Sequence, residues 1–177
     1  MPHRFQSRAS RIRRHQGDPR AGFSLVAASV ALFALSLAAA AGLPWWRDRQ
    51  RAAQVAATAA DLRAFAEAFQ KFAHDRGDWP PDAGAPAEVP TGMTERVERA
   101  RWQAPSPIGG HYAWAPYTLQ RGERYRAALL ILSVGREQVS PDRTLLAALD
   151  QQLDDGNLDT GRFRLGFRQQ PVLVLEH

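Results

Sequence analysis

The chain divides into three stretches according to where its apolar and charged residues lie. Residues 1–20 are polar and basic, residues 21–46 contain no charged side chain, and the remainder mixes apolar with charged positions. A helix needs about 20 predominantly apolar residues to cross the hydrocarbon core of a bilayer, and the run 23–43 satisfies this length. The pattern therefore predicts a transmembrane segment over residues 23–46.

Helical spacing continues beyond the uncharged stretch. Over residues 47–76, apolar side chains recur at steps of three and four positions, the spacing that places them on one face of an α-helix. These side chains are Val55, Ala59, Leu62, Phe65, Phe69 and Phe72. Gly77 offers a C-cap, and the following Trp79-Pro80-Pro81 cannot continue the helix. We expect an amphipathic helix that ends near residue 76 and packs its apolar face on a sheet.

Residues 77–177 predict a loop followed by a small sheet. Six prolines between residues 80 and 107 interrupt regular structure, and a short helix fits residues 94–102. Apolar runs then predict strands at 111–117, 125–134, 162–167 and 172–175, with one further helix beginning at Pro141. The predicted fold class is α+β: a long N-terminal helix, transmembrane and then amphipathic, packed on a small antiparallel sheet.

The positive charge of the chain is concentrated at its beginning. The formal net charge is +5, but six of the 23 basic residues and only one of the 18 acidic residues lie in residues 1–20, which leaves 17 of each in the rest. A basic stretch that directly precedes an apolar span sets membrane orientation and holds its own end in the cytoplasm. We therefore predict no nucleic-acid partner, and we expect the C-terminal part to lie on the outer side of the membrane.

The chemistry available to the chain is restricted. It contains no cysteine, which excludes disulfides, thiolate metal sites and cysteine nucleophiles. His74, His111 and His177 lack the spacing of metal ligands, and no phosphate-binding loop, dinucleotide fingerprint or serine-nucleophile motif occurs. We predict a protein that is not an enzyme.

The border between the basic and apolar stretches carries a short motif. Gly22-Phe23-Ser24-Leu25 stands between the arginines and the apolar run, and Pro44 follows just over twenty residues later. This arrangement resembles the processing site of type IV pilins and type II secretion pseudopilins. The resemblance implies that a prepilin peptidase cuts after Gly22, that Phe23 becomes a methylated N-terminus, and that residues 1–22 form a basic leader peptide.

The same resemblance implies how the remaining chain would be used. Leu25, Val26 and Ala27 would lie at the seam between assembled helices, and Pro44 would set a kink. The protein would be a structural subunit of a type II secretion or type IV pilus-like assembly, with other pilin-like subunits, the prepilin peptidase and inner membrane lipid as partners. It would cross the bacterial inner membrane once, with its N-terminus in the cytoplasm and residues 77–177 in the periplasm.

One position departs from the family pattern. Family members usually have Glu as the fifth residue after the cut, where it is thought to pair with the terminal amine of a neighbouring subunit; here that residue is Ala27. A carboxylate in a bilayer costs about 2.5–3.5 kcal/mol on insertion scales, so its retention elsewhere in the family has a purpose. Ala27 removes both the cost and the contact, and favours a minor or initiating subunit, or a relative that does not polymerise.

Two other interpretations of the N-terminal region stay open. Without processing at Gly22, the segment would be a signal anchor that holds a periplasmic binding or sensing domain at the membrane. Alternatively, Ala38-Ala39-Ala40 satisfies the small-residue pattern of a secretory signal peptide, and cleavage after Ala40 would release a soluble domain.

An acidic loop near the C-terminus is the candidate binding site. Asp155, Asn157 and Asp159 have the one-three-five spacing of oxygen ligands in a calcium loop, which makes Ca²⁺ a candidate cofactor. The EF-hand pattern then fails, because Thr160 stands where Gly is required and Gly166 stands where the bidentate Glu belongs. The alternative is an Asp/Asn/Gly turn between a helix and a strand.

Overall fold

The structure is a computed structural model that describes residues 25–177, without the side chains of residues 38, 39 and 41–43. The chain divides into two units between Leu43 and Pro44, and the described part of each is treated by itself. Helix α1 begins at Leu25 in the first unit and ends at Arg76 in the second, with Pro44 inside it.

In the first unit the described part of α1 has an exposed apolar surface. Its two serines, Ser29 and Ser36, donate their hydroxyl protons to the carbonyls of Leu25 and Leu32 at 2.6 and 2.8 Å, so these polar groups are satisfied within the helix. Within residues 25–177, no helix combines the length and apolarity needed to cross a membrane. Part of the transmembrane segment predicted over 23–46 lies outside the described residues.

In the second unit the apolar stripe of α1 is buried. Val55, Ala59, Leu62, Phe65 and Phe69 are all less than 5% exposed, as their helical spacing predicts. The helix ends where expected: Gly77 adopts a φ of +77°, and its N–H donates to the Ala73 carbonyl at 2.8 Å.

Four antiparallel strands form one sheet in the order β1-β2-β4-β3. The strands are β1 His111–Gln120, β2 Glu123–Leu132, β3 Phe163–Leu165 and β4 Pro171–Glu176. β2 is a central strand, and its side chains enter the apolar clusters on both faces of the sheet. Together with the helices, this sheet confirms the predicted α+β class.

β1 extends three residues beyond the predicted end at Tyr117. It joins β2 through a two-residue turn in which Arg121 has a φ of +47° and Gly122 a φ of +92°. Positive φ at both central residues is the geometry that continues the twist of a hairpin, so pairing runs up to Gln120 and Glu123.

Aromatic side chains connect the stripe of α1 to the sheet. Phe69 stacks on Trp114 of β1 with a ring-centroid distance of 4.3 Å, and Phe65 meets Tyr112 edge to face at 5.0 Å. Trp102 packs edge to face on Phe65 at 4.9 Å. Trp102 belongs to α2, Arg99–Gln103, so one aromatic cluster holds two helices and β1 together.

A third helix, α3, spans Arg143–Leu153 and packs its leucines into the same core. Asp142 caps its N-terminus and accepts the Thr144 and Leu145 N–H groups at 3.0 and 3.3 Å. The Asp142 carboxylate also pairs with Arg51 of α1 at 3.1 Å. α3 therefore begins at a fixed point beside α1, and its other end leads into the acidic loop.

A buried polar network joins α1, α2 and β1. The Tyr112 hydroxyl donates to Asp61 Oδ2 at 2.9 Å, and Arg101 pairs with the other oxygen of the same carboxylate. Burial raises the pKa of the Tyr112 hydroxyl above its ordinary value, and the charge of Arg101 offsets only part of this rise. The hydroxyl therefore stays protonated and acts as the donor that the buried carboxylate needs.

Replacing Tyr112 with Phe tests this network. The substitution keeps the aromatic packing but leaves Asp61 Oδ2 without its donor, so we expect a loss of about 1–3 kcal/mol in the free energy of unfolding. Urea denaturation of the full-length chain measures it. Tyr117→Phe is the control: Tyr117 also bonds an aspartate, at 3.3 Å from Asp78, but lies at the exposed end of β1, and we expect a change within about 0.5 kcal/mol. Equal effects of the two substitutions would contradict the role given to the buried network.

Candidate functional site

The residues predicted for processing lie outside what the structure describes. Gly22 and Phe23 precede Leu25, the first described residue, so cleavage after Gly22 stays a prediction. Leu25, Val26 and Ala27, predicted at an assembly seam, form the start of the described helix, and all three are exposed. Pro44, predicted to set a kink, lies within α1.

The first part of α1 exposes a continuous apolar surface, which we call the N-terminal apolar surface. Its large side chains are between 57% and 87% exposed, and no charged residue interrupts them. They are Leu25, Val26, Val30, Leu32, Phe33, Leu35 and Leu37. A helix that is apolar on all sides is stable only when lipid or other helices surround it. Among the described residues nothing covers this surface, which is therefore suited to contact with an apolar environment.

Two tryptophans mark the point where charged residues begin. Trp45 and Trp46 are both more than half exposed, and the Arg49 guanidinium lies 4.7 Å from the centre of the Trp45 ring. Such a cation–π contact orients the indole beside a charged group. Amphipathic indole rings adjacent to a charge are typical of a boundary between apolar and aqueous surroundings.

The acidic loop follows α3 and contains two successive turns closed by side chains. Asp155 Oδ1 accepts the Asn157 N–H at 2.8 Å, and Asn157 Oδ1 accepts the Asp159 N–H at 3.2 Å. Asp155 Oδ2 also accepts the Thr160 hydroxyl at 2.9 Å. These are the turn bonds expected of Asp and Asn, so the turn alternative describes the backbone of this loop well.

The predicted calcium ligands are only partly brought together. The Asp159 carboxylate pairs with Arg121 at 3.0 Å and is not in the acidic cluster that contains Asp155. Asp155 instead lies beside Asp150 and Asp154, and one carboxylate oxygen from each of these three residues lies within 4.8 Å of the others. We call this group the Asp150 cluster.

Asp150 is the functional candidate that sequence reasoning missed. It is fully buried on α3 beside Leu145, Leu146 and Leu149, and neither of its carboxylate oxygens has a hydrogen-bond partner among residues 25–177. A signal was available, because Asp150, Asp154 and Asp155 place three carboxylates within six positions at the end of a predicted helix. The leucines around Asp150 instead indicate a helix face that packs into the hydrophobic core.

Burial and neighbouring charge act in the same direction on Asp150. Loss of solvent, and then the charges of Asp155 and Asp154, raise the pKa of the Asp150 carboxyl to about 6. The Gly156 N–H faces this carboxyl and offsets part of the rise, although no hydrogen bond of normal geometry joins them. Asp155 behaves in the opposite way: the Asn157 N–H and then the Thr160 hydroxyl lower its pKa. The cluster thus contains Asp155, whose ionised form is stabilised, and Asp150, whose ionised form is destabilised.

The cost of the buried charge predicts an unusual pH dependence. The Asp150 pKa is higher in the folded chain than its ordinary value of 3.8, so folding takes up a proton between about pH 4 and 6, and the wild-type protein loses stability as pH rises through this window. Asp150→Asn removes the titration. In the presence of a chelator we expect this variant to be about 2–3 kcal/mol more stable than wild type above pH 6, and equal to it near pH 4.

Thermal unfolding of the full-length chain over a pH series measures the difference. Asp155→Asn is the control with the opposite sign: its lowered pKa contributes stability that is present at neutral pH and lost as pH falls, so this variant is less stable than wild type at pH 7. A difference between Asp150→Asn and wild type that did not change with pH would contradict the assignment.

Comparison with protein-family descriptions gives no match, and comparison with curated proteins gives none either. Among solved structures, the chain is similar to the major type IV pilin PilA1 from Clostridium difficile, with 17% sequence identity and a TM-score of 0.47. The similarity covers 73% of this chain and 98% of the pilin chain.

Proposed function

We propose that the protein is a pilin-like structural subunit, anchored in the bacterial inner membrane by its N-terminal helix and processed after Gly22 by a prepilin peptidase. Residues 1–22 would be removed, and the helix that begins at Phe23 would be retained as the contact with lipid and with other subunits. The observation that carries this proposal is the N-terminal apolar surface, which is uncharged, exposed on all sides and directly preceded by an arginine-rich leader.

The energetics of this surface require a partner. Burying one large aliphatic or aromatic side chain contributes about 1.5–3 kcal/mol, so its seven large residues together represent on the order of 10 kcal/mol. This is comparable with the whole stability of a small domain. Because burying this surface would release so much free energy, we infer that it is buried against a partner when the protein functions. Before assembly we expect the surrounding phase to be lipid, and after assembly the equivalent helices of neighbouring subunits.

Residues of the second unit support a structural role. The stripe from Val55 to Phe72 is part of the core of the α+β domain, so the helix that carries the apolar surface also holds the domain together. The exposed loops of the domain then supply the surfaces that other components of a type II secretion or type IV pilus-like assembly would contact.

Ala27 limits the position that such a subunit would take. With Ala in the fifth mature position, the helix lacks a carboxylate that could pair with the terminal amine of a neighbouring subunit. Small residues allow close helix packing but set no register by charge. We therefore favour a minor or initiating subunit over one that repeats along a fibre.

The N-terminus of the mature protein tests the proposal. We expect mass spectrometry of the full-length protein, expressed in a bacterium with its own prepilin peptidase, to find Phe23 at the N-terminus with or without one methyl group. Gly22→Leu places a bulky side chain at the cleavage position and should retain residues 1–22. Deleting the peptidase gene should have the same effect.

A matched variant separates the alternatives. Replacing Ala40 and Ala41 together with Leu removes both A-x-A pairs of the run 38–41 without touching Gly22, and we expect the same Phe23 terminus as in wild type. A terminus at Ala41 that this substitution removes would instead establish a secreted domain. An intact Met1 in wild type would establish an unprocessed membrane-anchored binding or sensing domain, and either result would overturn the proposal.

A further inference from the structure

The Asp150 cluster contains a buried carboxylate that only the Gly156 N–H offsets, and only in part, among the described residues. Asp150 has no exposed surface, and neither carboxylate oxygen accepts a hydrogen bond within residues 25–177. Buried carboxylates in proteins are almost always paired, hydrogen-bonded or bound to a metal, because an isolated buried charge is very costly. The position therefore calls for a partner that the side chains around it do not supply.

The electrostatic surroundings further disfavour a negative charge on Asp150. None of the eight salt bridges formed within the described part of the chain involves Asp150, Asp154 or Asp155. The three carboxylates also lie around the C-terminal end of α3, where the helix dipole is negative and its last carbonyl oxygens face outward. Three acids at the negative end of a helix repel one another, and a bound cation would reverse this repulsion.

The spacing of the oxygens fits one hard cation. Calcium takes oxygen ligands at about 2.3–2.6 Å, so two oxygens on the same ion are separated by at most about 4.6–5.2 Å. One oxygen from each of Asp150, Asp154 and Asp155 lies within 4.8 Å of the other two. The three atoms can therefore contact a single ion without a change in the backbone.

Hydrogen bonds within the loop hold the two exposed carboxylates in place. Asp154 Oδ2 accepts the Arg162 N–H, and Asp155 accepts the Asn157 N–H and the Thr160 hydroxyl. Gly161 makes this approach possible, because a Cβ atom at that position would lie 1.8 Å from Asp154 Oδ2. These contacts fix both side chains and leave further lone pairs of each free to face Asp150.

We propose that Asp150, Asp154 and Asp155 form a binding site for a divalent cation of the calcium class. The ligands are all hard oxygens, the chain has no cysteine, and the cluster contains no histidine, which disfavours zinc and other borderline or soft metals. Two of the ligands belong to an irregular loop, and calcium tolerates irregular coordination better than magnesium does. Water and carbonyl oxygens at the end of α3 would complete the shell.

This site differs from the one that the spacing of Asp155, Asn157 and Asp159 predicts. Only Asp155 belongs to both sets, while Asp159 forms an ion pair with Arg121. The ion would connect the end of α3 to the loop that leads into β3, where the Leu165 N–H donates to the Leu158 carbonyl at 2.9 Å. Binding of the ion would order the loop and stabilise the junction between α3 and β3. This effect would not depend on how the N-terminal helix is processed or assembled.

Calcium titration of the purified full-length chain in detergent tests the site. The probe is CaCl2, followed by isothermal calorimetry and by thermal unfolding, with NaCl of equal ionic strength as the control. We expect saturable binding with a Kd of about 0.1–1 mM or tighter, the range of sites with few protein ligands, together with a rise in Tm. MgCl2 should bind at least about tenfold more weakly.

Three variants locate the ion. Asp150→Asn keeps the shape of the side chain and should weaken calcium binding at least about tenfold, as should Asp154→Asn. Asp159→Asn is the matched control in the same loop and should bind as wild type does. Tm in chelator shows that each variant is folded before the titration begins.

The proposal is overturned if wild type shows no calcium-dependent change beyond the NaCl control. It is also overturned if Asp150→Asn binds calcium as tightly as wild type, or if Asp159→Asn loses binding to the same extent. Tighter binding of magnesium than of calcium would overturn the calcium class. Because none of these measurements depends on Gly22 processing, the site and the proposed function can fail separately.

Discussion

The packing of the α1 stripe against the first strand of the sheet is the interaction on which the second unit depends. Phe65 and Phe69 contact Tyr112, Trp114 and Trp102, so a single line of side chains on α1 holds β1 and α2. The same contact surface contains the one buried carboxylate of α1, Asp61, which Tyr112 and Arg101 satisfy. α3 is then fixed beside α1 through Arg51 and the cap at Asp142. The stripe, the inner face of the sheet and the leucines of α3 therefore share one hydrophobic core.

Much of this arrangement can be predicted from the sequence because it depends on periodicity. The three- and four-residue spacing from Val55 to Phe72 specifies a helix face, and the continuous apolar run in β2 specifies a strand covered on both sides. Gly77 and the prolines after it specify where α1 ends, because one accepts positive φ and the others cannot continue a helix. These are local rules, and they require no knowledge of what the segments contact.

The features that could not be predicted depend on contacts between distant parts of the chain. Arg101 lies 40 residues from Asp61, and nothing in the local sequence indicates that the two form a pair. Asp150 has the same difficulty. On its own helix it is one acid next to leucines, and it becomes a candidate ligand only when the loop returns Asp155 to its side. The spacing rule for calcium loops operates within one segment, so it selected Asp159, whose carboxylate instead pairs with Arg121 in the turn between β1 and β2.

The burial of α1 along its length in the second unit also has a mechanical consequence. A force along the helix axis would act on all the buried contacts of the stripe at the same time, in shear, and would not break them one after another. These contacts are made by Val55, Leu62, Phe65, Phe69 and Phe72. Many weak contacts that must yield together resist force far better than the same contacts broken in turn, because extraction then requires one large unfolding barrier to be crossed. Unfolding of this domain by a force along α1 would then be governed by the rate at which that one barrier is crossed.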